Sequence, residues 1–438
     1  MTPVFLLYLA VLSAIAFFAR SRVRTFSDFV IAGGRQGAFW ITLSTLAGIV
    51  GGSATFGIMT LAAKHGFAAF WWLGAGSIFL ILQGLLVSER ARALDVSTLP
   101  ELAGKTAGRQ PRVFIALVIA ISWTGIIAAQ FSALESLFTP LLPESLKNIS
   151  LFLVSFTVIV YTAAGGQISV LRTDALQFAI LMIGVLFTCA WLWRGGDPAG
   201  QITLSAGSFA RLEFTAFLLV TGLPYFLGPD LLSRGFSARD GKTARRSATI
   251  AAVVLFFFAV PMALIGVWAK ENGISANPLP VIISEYVPAP LGCLLFLGLI
   301  SALISSADTC LLSVASIVEN DLIGGSNIRR TRVILIAAGA ISAGIAFFRK
   351  DVTGLLLSAY SVYVPGVVFP LFTCLMFASK RPVSRNLVLT GMAAGSALGA
   401  ASVCLDMPAC SLAGMGASAL FSAAAVCVPG RGTKTARS

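Results

Sequence analysis

Residues 302–310 read Ala-Leu-Ile-Ser-Ser-Ala-Asp-Thr-Cys and lie within an otherwise apolar segment, 291–318. The stretch places two adjacent hydroxyls, a carboxylate and a third hydroxyl inside a segment long enough to cross a membrane. Polar side chains in lipid are costly, so they tend to face a cavity or the bundle interior and to mark the path of an ion or solute. Such oxygens suit a small, hard cation. The alternative is that each serine only donates to a carbonyl group one turn earlier in its own helix.

The composition predicts a membrane protein. Hydrophobic residues make up 57% of the 438 residues, charged residues make up 11%, and the mean hydropathy is +0.91. A soluble domain carries about 25% charged residues, so soluble folds are excluded. The predicted fold class is an all-α membrane protein that forms a single polytopic domain over residues 1–438. Its expected location is the plasma membrane, as in the inner membrane of a bacterium.

Thirteen apolar stretches are long enough to be membrane helices. They cover residues 3–19, 38–60, 66–88, 113–138, 149–164, 173–193, 213–232, 248–269, 290–317, 333–348, 354–377, 387–405 and 411–428. The first stretch lacks a basic start and a clear cleavage site. We therefore expect it to be a retained helix rather than a signal peptide.

The basic residues divide between the two sides of these predicted spans. All but seven of the 31 Lys and Arg residues lie on one side, in alternate loops and the C-terminal tail. The seven on the other side are Lys64, Lys147, Arg194, Arg211, Lys270, Arg349 and Lys350. By the positive-inside rule, the N-terminus is outside and the C-terminus is cytoplasmic. The net charge of +13 thus orients the protein in the lipid bilayer and gives no support for a nucleic-acid partner.

Two predicted spans contain helix-breaking residues. Residues 48–53 (Gly-Ile-Val-Gly-Gly-Ser) interrupt the second span, and residues 221–224 (Thr-Gly-Leu-Pro) and 228–229 (Gly-Pro) interrupt the seventh. Matched interruptions five helices apart are typical of transporters built from inverted repeats, in which unwound backbone carbonyls hold a cation near the midplane. The alternative is that the glycines only allow neighbouring helices to pack closely.

The sequence gives no sign of catalysis. None of the seven cysteines has the spacing of a zinc site. Cys404 and Cys410 flank one short loop, so they are either a pair in an oxidising compartment or, like the other cysteines, inert packing residues. No cluster of His, Asp and Glu suggests a membrane enzyme. We therefore expect no catalytic residue and no organic cofactor.

Several short strings between residues 27 and 321 follow one order and spacing. They are residues 27–35 (SDFVIAGGR), 97–101 (STLPE), 161–166 (YTAAGG) with 170–177 (VLRTDALQ), the pair Pro229 and Arg234, and the stretch 302–310. Together they resemble the sodium:solute symporter family, whose matching strings include D-Y-F-L-A-G-R, T-L-P-E, Y-T-x-x-G-G, V-x-x-T-D-x-x-Q and A-x-x-S-T-A-D-S.

The resemblance implies a leucine-transporter-type core of two inverted five-helix repeats. The repeats would cover residues 38–195 and 211–377, after an extra N-terminal helix and loop at 1–37 and before two extra helices at 387–428. The implied function is secondary active transport, in which a small organic solute enters the cytoplasm together with sodium by alternating access. Sodium is the expected coupling ion, and the oligomeric state is left open.

The resemblance also implies a sodium site between the break in the second span and the middle of the ninth. The matching groups are the backbone carbonyls of Ala47, Val50 and Ala302 and the hydroxyls of Ser305 and Ser306. Neutral oxygens hold sodium weakly enough for the ion to be released again, which is also a requirement for conduction in ion channels.

Asp174, Asp308 and Thr309 form a candidate second cation or proton site. Some family members bind a second sodium at the positions matching these residues and Ser305, but with serine in place of Asp308 and Thr309. A carboxylate at 308 would strengthen a cation site or create a proton-binding one. The alternatives are that hydrogen bonds hold Asp308, and that Asp174 pairs with Arg172 or caps the sixth span at the membrane edge.

The candidate solute-binding residues face the two breaks. They are Gly51, Ser53, Gln130, Tyr225, Phe226, Tyr360 and Tyr363. Gln130 resembles the family's glutamine in the fourth helix, whereas each aromatic residue could equally serve packing. The proline-transporting subgroup has an acidic residue in place of Ile49, and the polar pocket residues of the sugar transporters have no match here. The substrate therefore stays open.

Two other functions compete with sodium symport. A proton-driven transporter of the same fold would use the same architecture. A non-transporting membrane sensor would need a signalling module, and the short basic tail at residues 430–438 leaves no length for one. We therefore expect a transporter.

Overall fold

The computed structural model describes residues 8, 10–12, 14–15, 17–19, 21–139, 142–196, 209–274, 278–378 and 383–428. The predicted first span, 3–19, is therefore described only in part, and the basic tail and the side chain of Ser53 lie outside the described residues. Tyr8, which is described, accepts hydrogen bonds from Ser301 at 2.7 Å and from Gln177 at 3.2 Å. This part of the N-terminal segment therefore packs against the helices that carry those two residues.

Helices make up all the regular structure in the described part of the chain, as predicted. They are α1 Phe26–Ile31, α2 Ala38–Ile49, α3 Ile58–His65, α4 Trp71–Leu82, α5 Glu89–Ala93, α6 Leu99–Ala107, α7 Arg109–Phe138, α8 Glu144–Lys147, α9 Ser150–Leu192, α10 Arg211–Leu227, α11 Pro229–Ser237, α12 Gly241–Glu271, α13 Pro278–Val281, α14 Ala289–Ile317, α15 Ile328–Phe348, α16 Val352–Tyr363, α17 Phe369–Phe377, α18 Arg385–Leu405 and α19 Pro408–Cys427.

Short π-helical turns join several of these helices into longer rods. They occur at Ser53–Gly57, Gln83–Ser88, Ile282–Tyr286, Val318–Ile323 and Val364–Val368. Within the described residues, ten helical rods are long and apolar enough to cross a membrane. The chain is therefore a multi-pass membrane protein.

The loop predicted between the fifth and sixth spans, at residues 165–172, is reduced to a break at one residue. Gly166, with φ +61° and ψ −166°, leaves the helical conformation there, so α9 consists of two helices that meet at a sharp kink. A Cβ atom at Gly166 would lie 2.6 Å from the ring of Phe29. The close approach of α1 and the positive φ together explain why a glycine occupies this kink.

The breaks in the second and seventh predicted spans lie at single points. The backbone after α2 leaves the helical region at Val50, where φ is −83° and ψ is 66°. Gly228 separates α10 from α11, with φ −72° and ψ 136°. The predicted interruption at residues 221–224 is wrong, since α10 continues through it and contains Pro224. A transmembrane helix tolerates proline where neighbouring groups satisfy the freed backbone.

Loops predicted to share one side of the membrane meet at one end of the bundle. Arg92 donates to the carbonyl oxygens of Ala238 at 2.8 Å and Gly34 at 3.4 Å. Arg112 forms an ion pair with Asp321 at 2.6 Å. These contacts join the basic loops that follow the first, third, seventh and ninth predicted spans.

Helices α9 and α14 cross closely in the centre of the bundle. A Cβ atom at Gly298 would lie 2.8 Å from the Cα atom of Leu181, and one at Gly184 would lie 3.1 Å from the Cα atom of Leu295. Small residues at such crossings let helix backbones approach each other. The crossing brings the middle of α14 against the buried face of α9.

All seven cysteines are free thiols. Cys404 is exposed and Cys410 is half-buried, at the facing ends of α18 and α19. Cys310 is buried in α14.

Candidate ion and solute site

The break after α2 faces the polar stretch of α14. The hydroxyl of Ser306 donates to the carbonyl oxygen of Gly48 at 2.8 Å. A Cβ atom at Gly51 would overlap the Ser306 side chain. The backbone N–H of Gly52 donates to Oε1 of Gln130 at 2.7 Å. Hydroxyl, carbonyl and amide oxygens therefore gather around this one turn of unwound chain.

The proposed sodium ligands are all buried, but the two serines differ in their contacts. Ala47, Val50 and Ala302 are no more than 1% exposed. Ser306 contacts the break, whereas the hydroxyl of Ser305 donates to Oδ1 of Asp174 at 2.5 Å. The predicted first and second cation sites are thus adjacent along α14, and Ser305 is the residue they share.

Asp174 lies in a fully buried polar cluster. Its Oδ2 accepts a hydrogen bond from Ser44 of α2 and lies 3.6 Å from the guanidinium of Arg234. The predicted pairing with Arg172 is wrong, because Arg172 lies over the ring of Trp40, 3.9 Å from its centroid. The alternative role as a helix cap is also wrong, since Asp174 lies within α9 and not at its end.

Arg234 is the cation of this cluster and is itself completely buried. Its guanidinium donates to Ser44 at 2.9 Å, to Thr309 at 2.8 Å and to the carbonyl oxygen of Asp230 at 3.0 Å. A buried ion pair is tolerated when further hydrogen bonds satisfy its remaining polar atoms. Arg234 therefore joins α11 to α2, α9 and α14.

Asp308 is less satisfied than its neighbours. It is completely buried, and Thr309 contacts its Oδ1 at 3.4 Å. Its Oδ2 has no hydrogen-bond partner among the described residues. Hence the predicted hydrogen-bonded role accounts for only one of its two oxygens. The cluster holds two carboxyl groups, Asp174 and Asp308, against the single guanidinium of Arg234.

Three of the predicted solute-binding residues line one small cavity beside the break. Gln130, Tyr225 and Tyr360 share it with Ser306 and Asp230, and its volume is about 30 Å³. That volume holds about two water molecules, not an organic solute. The cavity is therefore closed around its polar groups.

The other predicted solute-binding residues lie around this cavity or away from it. Gly51 contacts Ser306 and Gln130 from the break itself. Tyr363 donates to the carbonyl oxygen of Leu227 and packs edge-on against Trp123. Phe226 packs against Phe372 and does not line the cavity, so its predicted role there is not supported.

Sequence reasoning missed several residues of this region. Ser44, Trp123 and Asp230 were not singled out, and Arg234 was named only as part of the family resemblance and counted with the basic residues of a loop. One signal was available for two of them: Asp230 and Arg234 directly follow the Gly228–Pro229 break. Charged residues next to a broken helix in an apolar sequence point to a functional site.

Known proteins match this chain in sequence. The sequence profile of the sodium:solute symporter family matches residues 29–193, which include the α2 break, Gln130 and Asp174. The resemblance to the sodium:solute symporter family is confirmed. The chain is also 26% identical over 343 residues to the osmoregulated proline transporter OpuE of Bacillus subtilis (strain 168), covering 72% of this chain and 69% of that protein.

Solved structures share the fold. A Na⁺-coupled sialic acid symporter in a substrate-bound, outward-open state superposes with a TM-score of 0.79 at 18% identity, over 96% of both chains. Mhp1, a nucleobase-cation-symport-1 family transporter, gives 0.67 at 12% identity, over 90% of this chain and 93% of its own. MhsT in complex with L-phenylalanine gives 0.59 at 13% identity, over 87% and 99%. The chain therefore shares the leucine-transporter-type fold of these proteins.

Proposed function

We propose that this protein is a sodium-coupled symporter that carries a small organic solute across the plasma membrane into the cell. The observation that carries the proposal is the contact between the α2 break and Ser306 of α14, where hydroxyl and carbonyl oxygens converge. The sodium:solute symporter match at residues 29–193 supports it. The proposed ligands are the carbonyls of Ala47, Val50 and Ala302 with the hydroxyls of Ser305 and Ser306.

Alternating access around this site is part of the proposal. The two broken helices, α2–α3 and α10–α11, would be the first helices of the inverted repeats at residues 38–195 and 211–377. Dividing the long rods at Gly66 and Gly166, both at positive φ, would give twelve helices in the described residues, and the predicted first span at 3–19 would be the thirteenth. The basic loops that meet at one end support a cytoplasmic position for that end and an outside N-terminus.

Uptake into proteoliposomes tests the proposal. An inward sodium gradient should drive accumulation of one member of a panel of amino acids, carboxylates, sugars and vitamins. An inward proton gradient without sodium should not. Accumulation under the proton gradient alone would contradict sodium coupling and would support a proton-driven transporter of the same fold.

Ser305→Ala is expected to raise the sodium concentration for half-maximal uptake about tenfold, which corresponds to the loss of about 1.4 kcal/mol of binding. The variant removes one proposed ligand. Sodium titration of initial uptake rates measures the effect. Ser313→Ala is the matched control, because Ser313 lies in the same helix and its buried hydroxyl has no partner among the described residues. Equal sodium dependence in the two variants would contradict the assignment.

A proton-coupled symporter is the second candidate, and the unpartnered Oδ2 of Asp308 favours it. A buried carboxylate without a counter-charge is costly, and a bound proton removes that cost. The titratable groups within electrostatic range of Asp308 are Asp174, Arg234, Tyr8, Tyr161 and Cys310. Of these, only Arg234 is cationic, and it already pairs with Asp174.

Asp308→Asn is expected to flatten the pH dependence of uptake while sodium activation persists. If Asp308 must carry a proton on the outside, wild-type uptake falls as the external pH rises. The neutral amide mimics the protonated form, so the variant keeps its rate at high pH. Initial rates over a pH series, together with the sodium-to-solute ratio, measure this. If neither the pH dependence nor the sodium-to-solute ratio changes, the role of Asp308 is purely structural.

Arg112→Gln is expected to expose Cys310, which lines the central cavity. The Arg112–Asp321 pair, supported by a 2.7 Å hydrogen bond from Thr98, joins α6 and α7 to the end of the α14 rod. A hydrogen bond to a charged group contributes about 1.5–3 kcal/mol, so its loss makes opening of this end easier. If this end opens during transport, maleimide should then label Cys310 about tenfold faster.

The labelling is measured with the other cysteines replaced by serine. Arg329→Gln, at an exposed position of α15, is the control. Equal labelling rates in the two variants would count against an opening at this end.

A further inference from the structure

Asp230 presents a carboxyl group to the central cavity without a basic partner. It occupies the first turn of α11, directly after the Gly228–Pro229 break, and lines the cavity. Its side chain forms no ion pair with any described residue within 4 Å. The guanidinium of Arg234 bonds the backbone carbonyl of Asp230 instead, and its other N–H groups bind Ser44 and Thr309.

The charge of the cavity lining is therefore negative. The residues that line it include no Lys, Arg or His, and Asp230 is the one acidic residue among them. Asp230 is half-buried, and a second anion beside its carboxylate would be repelled. A solute that brings a positive charge would be attracted.

Aromatic rings form much of the remaining wall. Trp123, Tyr225 and Tyr360 line the cavity with Asp230. The indole N–H of Trp123 is buried without a hydrogen-bond partner of good geometry, although the ring lies next to the Asp230 carboxyl group. Aromatic faces attract cations, and groups of them bind ammonium ligands. The amide of Gln130 adds a polar group on the α7 side.

We propose that the transported solute is a small organic ammonium compound whose positive group binds between Asp230 and the rings of Trp123, Tyr225 and Tyr360. This inference rests on the proposed function, because it names the solute class of that same cavity. The cavity of about 30 Å³ must widen to admit the solute, as alternating access requires. The same charge repels carboxylates without an amine, and an uncharged sugar would form no ion pair with Asp230.

Thermal unfolding of the purified full chain in detergent tests the inference, since a ligand that binds the folded state raises the unfolding temperature. The probes, at millimolar concentration with sodium present, are choline, L-proline, pyruvate, galactose and 3,3-dimethylbutan-1-ol, the uncharged isostere of choline. We expect choline or L-proline to stabilise the protein and the other three to have no effect. Equal stabilisation by choline and its isostere, stabilisation by pyruvate or galactose alone, or no stabilisation by either ammonium compound overturns the inference.

Variants assign the effect to the cavity. Asp230→Asn should weaken binding of the stabilising ammonium compound at least about tenfold, as expected for the loss of a charge-assisted contact. Trp123→Phe should weaken it less and keeps an aromatic ring in place if Asp230→Asn fails to fold. The control is Asp95→Asn, at an exposed left-handed position that asparagine tolerates. Unchanged affinity in both cavity variants overturns the inference.

Sodium separates this inference from the proposed function. The unfolding temperature is first measured with and without sodium and no solute. Ammonium binding that is independent of sodium supports the inference and counts against sodium coupling. If sodium stabilises the protein but only an uncharged or anionic probe binds, sodium coupling is supported and the inference about the ammonium solute is contradicted.

Discussion

Arg234→Met is expected to destabilise the protein by about 3–5 kcal/mol, the usual cost of removing one partner of a buried ion pair. Asp174 would remain completely buried, with only the hydroxyls of Ser44 and Ser305 as partners. Thr309 would lose the 2.8 Å hydrogen bond from the guanidinium. The strain would reach four helices at once, because Arg234 connects α11 with α2, α9 and α14.

A double-mutant cycle identifies the source of the loss. Unfolding in detergent, followed by circular dichroism, is compared for Arg234→Met, Asp174→Asn and the double variant. The double variant should recover part of the stability, since the carboxylate of Asp174 is then no longer buried without its counter-charge. Arg172→Met is the matched control, because the cation–π contact of Arg172 with Trp40 contributes about 0.5–1 kcal/mol. If Arg234→Met were as stable as this control, the buried pair would not be important for the fold.

Gly51→Val is expected to abolish sodium-driven uptake. A Cβ atom at this position would overlap Ser306 and lie 3.1 Å from Oε1 of Gln130. The branched side chain would therefore separate the break from α14 and remove the convergence of oxygens on which the proposed sodium site depends. Sodium-dependent uptake at equal amounts of reconstituted protein measures the effect.

Gly37→Val is the control for Gly51→Val. Gly37 precedes the same helix, its φ is −82°, and a Cβ atom there meets no atom within 4 Å. Gly51→Ala, with a smaller side chain, should retain part of the activity. Full activity in Gly51→Val would mean that α14 does not need close contact with the break, and the proposed ligand set would fail.

Local composition predicts the break after α2 and the polar stretch of α14 separately. That the two lie in contact is predicted only by the family resemblance. Glycines mark a point where backbone carbonyls are freed, and serines in an apolar segment require a polar surface to face. The detailed division of roles was not predictable in this way. Ser305 and Ser306 are adjacent in sequence, yet one contacts Asp174 and the other Gly48. Their directions depend on which helices flank α14.

Arg234 shows what a one-dimensional reading misses. Sorting basic residues by loop treats an arginine near the end of a span as solvated. Its charge is balanced by Asp174, which is 60 positions earlier in the chain and lies 3.6 Å from it in the folded protein. Pairing across such a distance follows from tertiary packing, and no local pattern encodes it.

The same limit explains the errors in the helix boundaries. Gly166 and Pro224 both suggest interruptions, but only the first interrupts a helix: the backbone is non-helical at Gly166, whereas Pro224 lies within α10. Glycine and proline in membrane helices are tolerated where neighbours supply packing and hydrogen bonds. Whether such a residue ends, bends or leaves a helix unchanged therefore depends on its surroundings. Within these spans the backbone leaves the helical conformation at Val50, Gly166 and Gly228.

The hydrogen bond between Ser306 and Gly48 has a thermodynamic consequence for transport. Both residues line the central cavity, and Ser306 is also a proposed sodium ligand. Solute and sodium would therefore perturb the same pair of atoms, so their binding free energies are not independent. Linkage is reciprocal, so the factor by which sodium changes solute affinity must equal the factor by which solute changes sodium affinity. Two binding titrations, each repeated with the other ligand present, would therefore form a closed cycle.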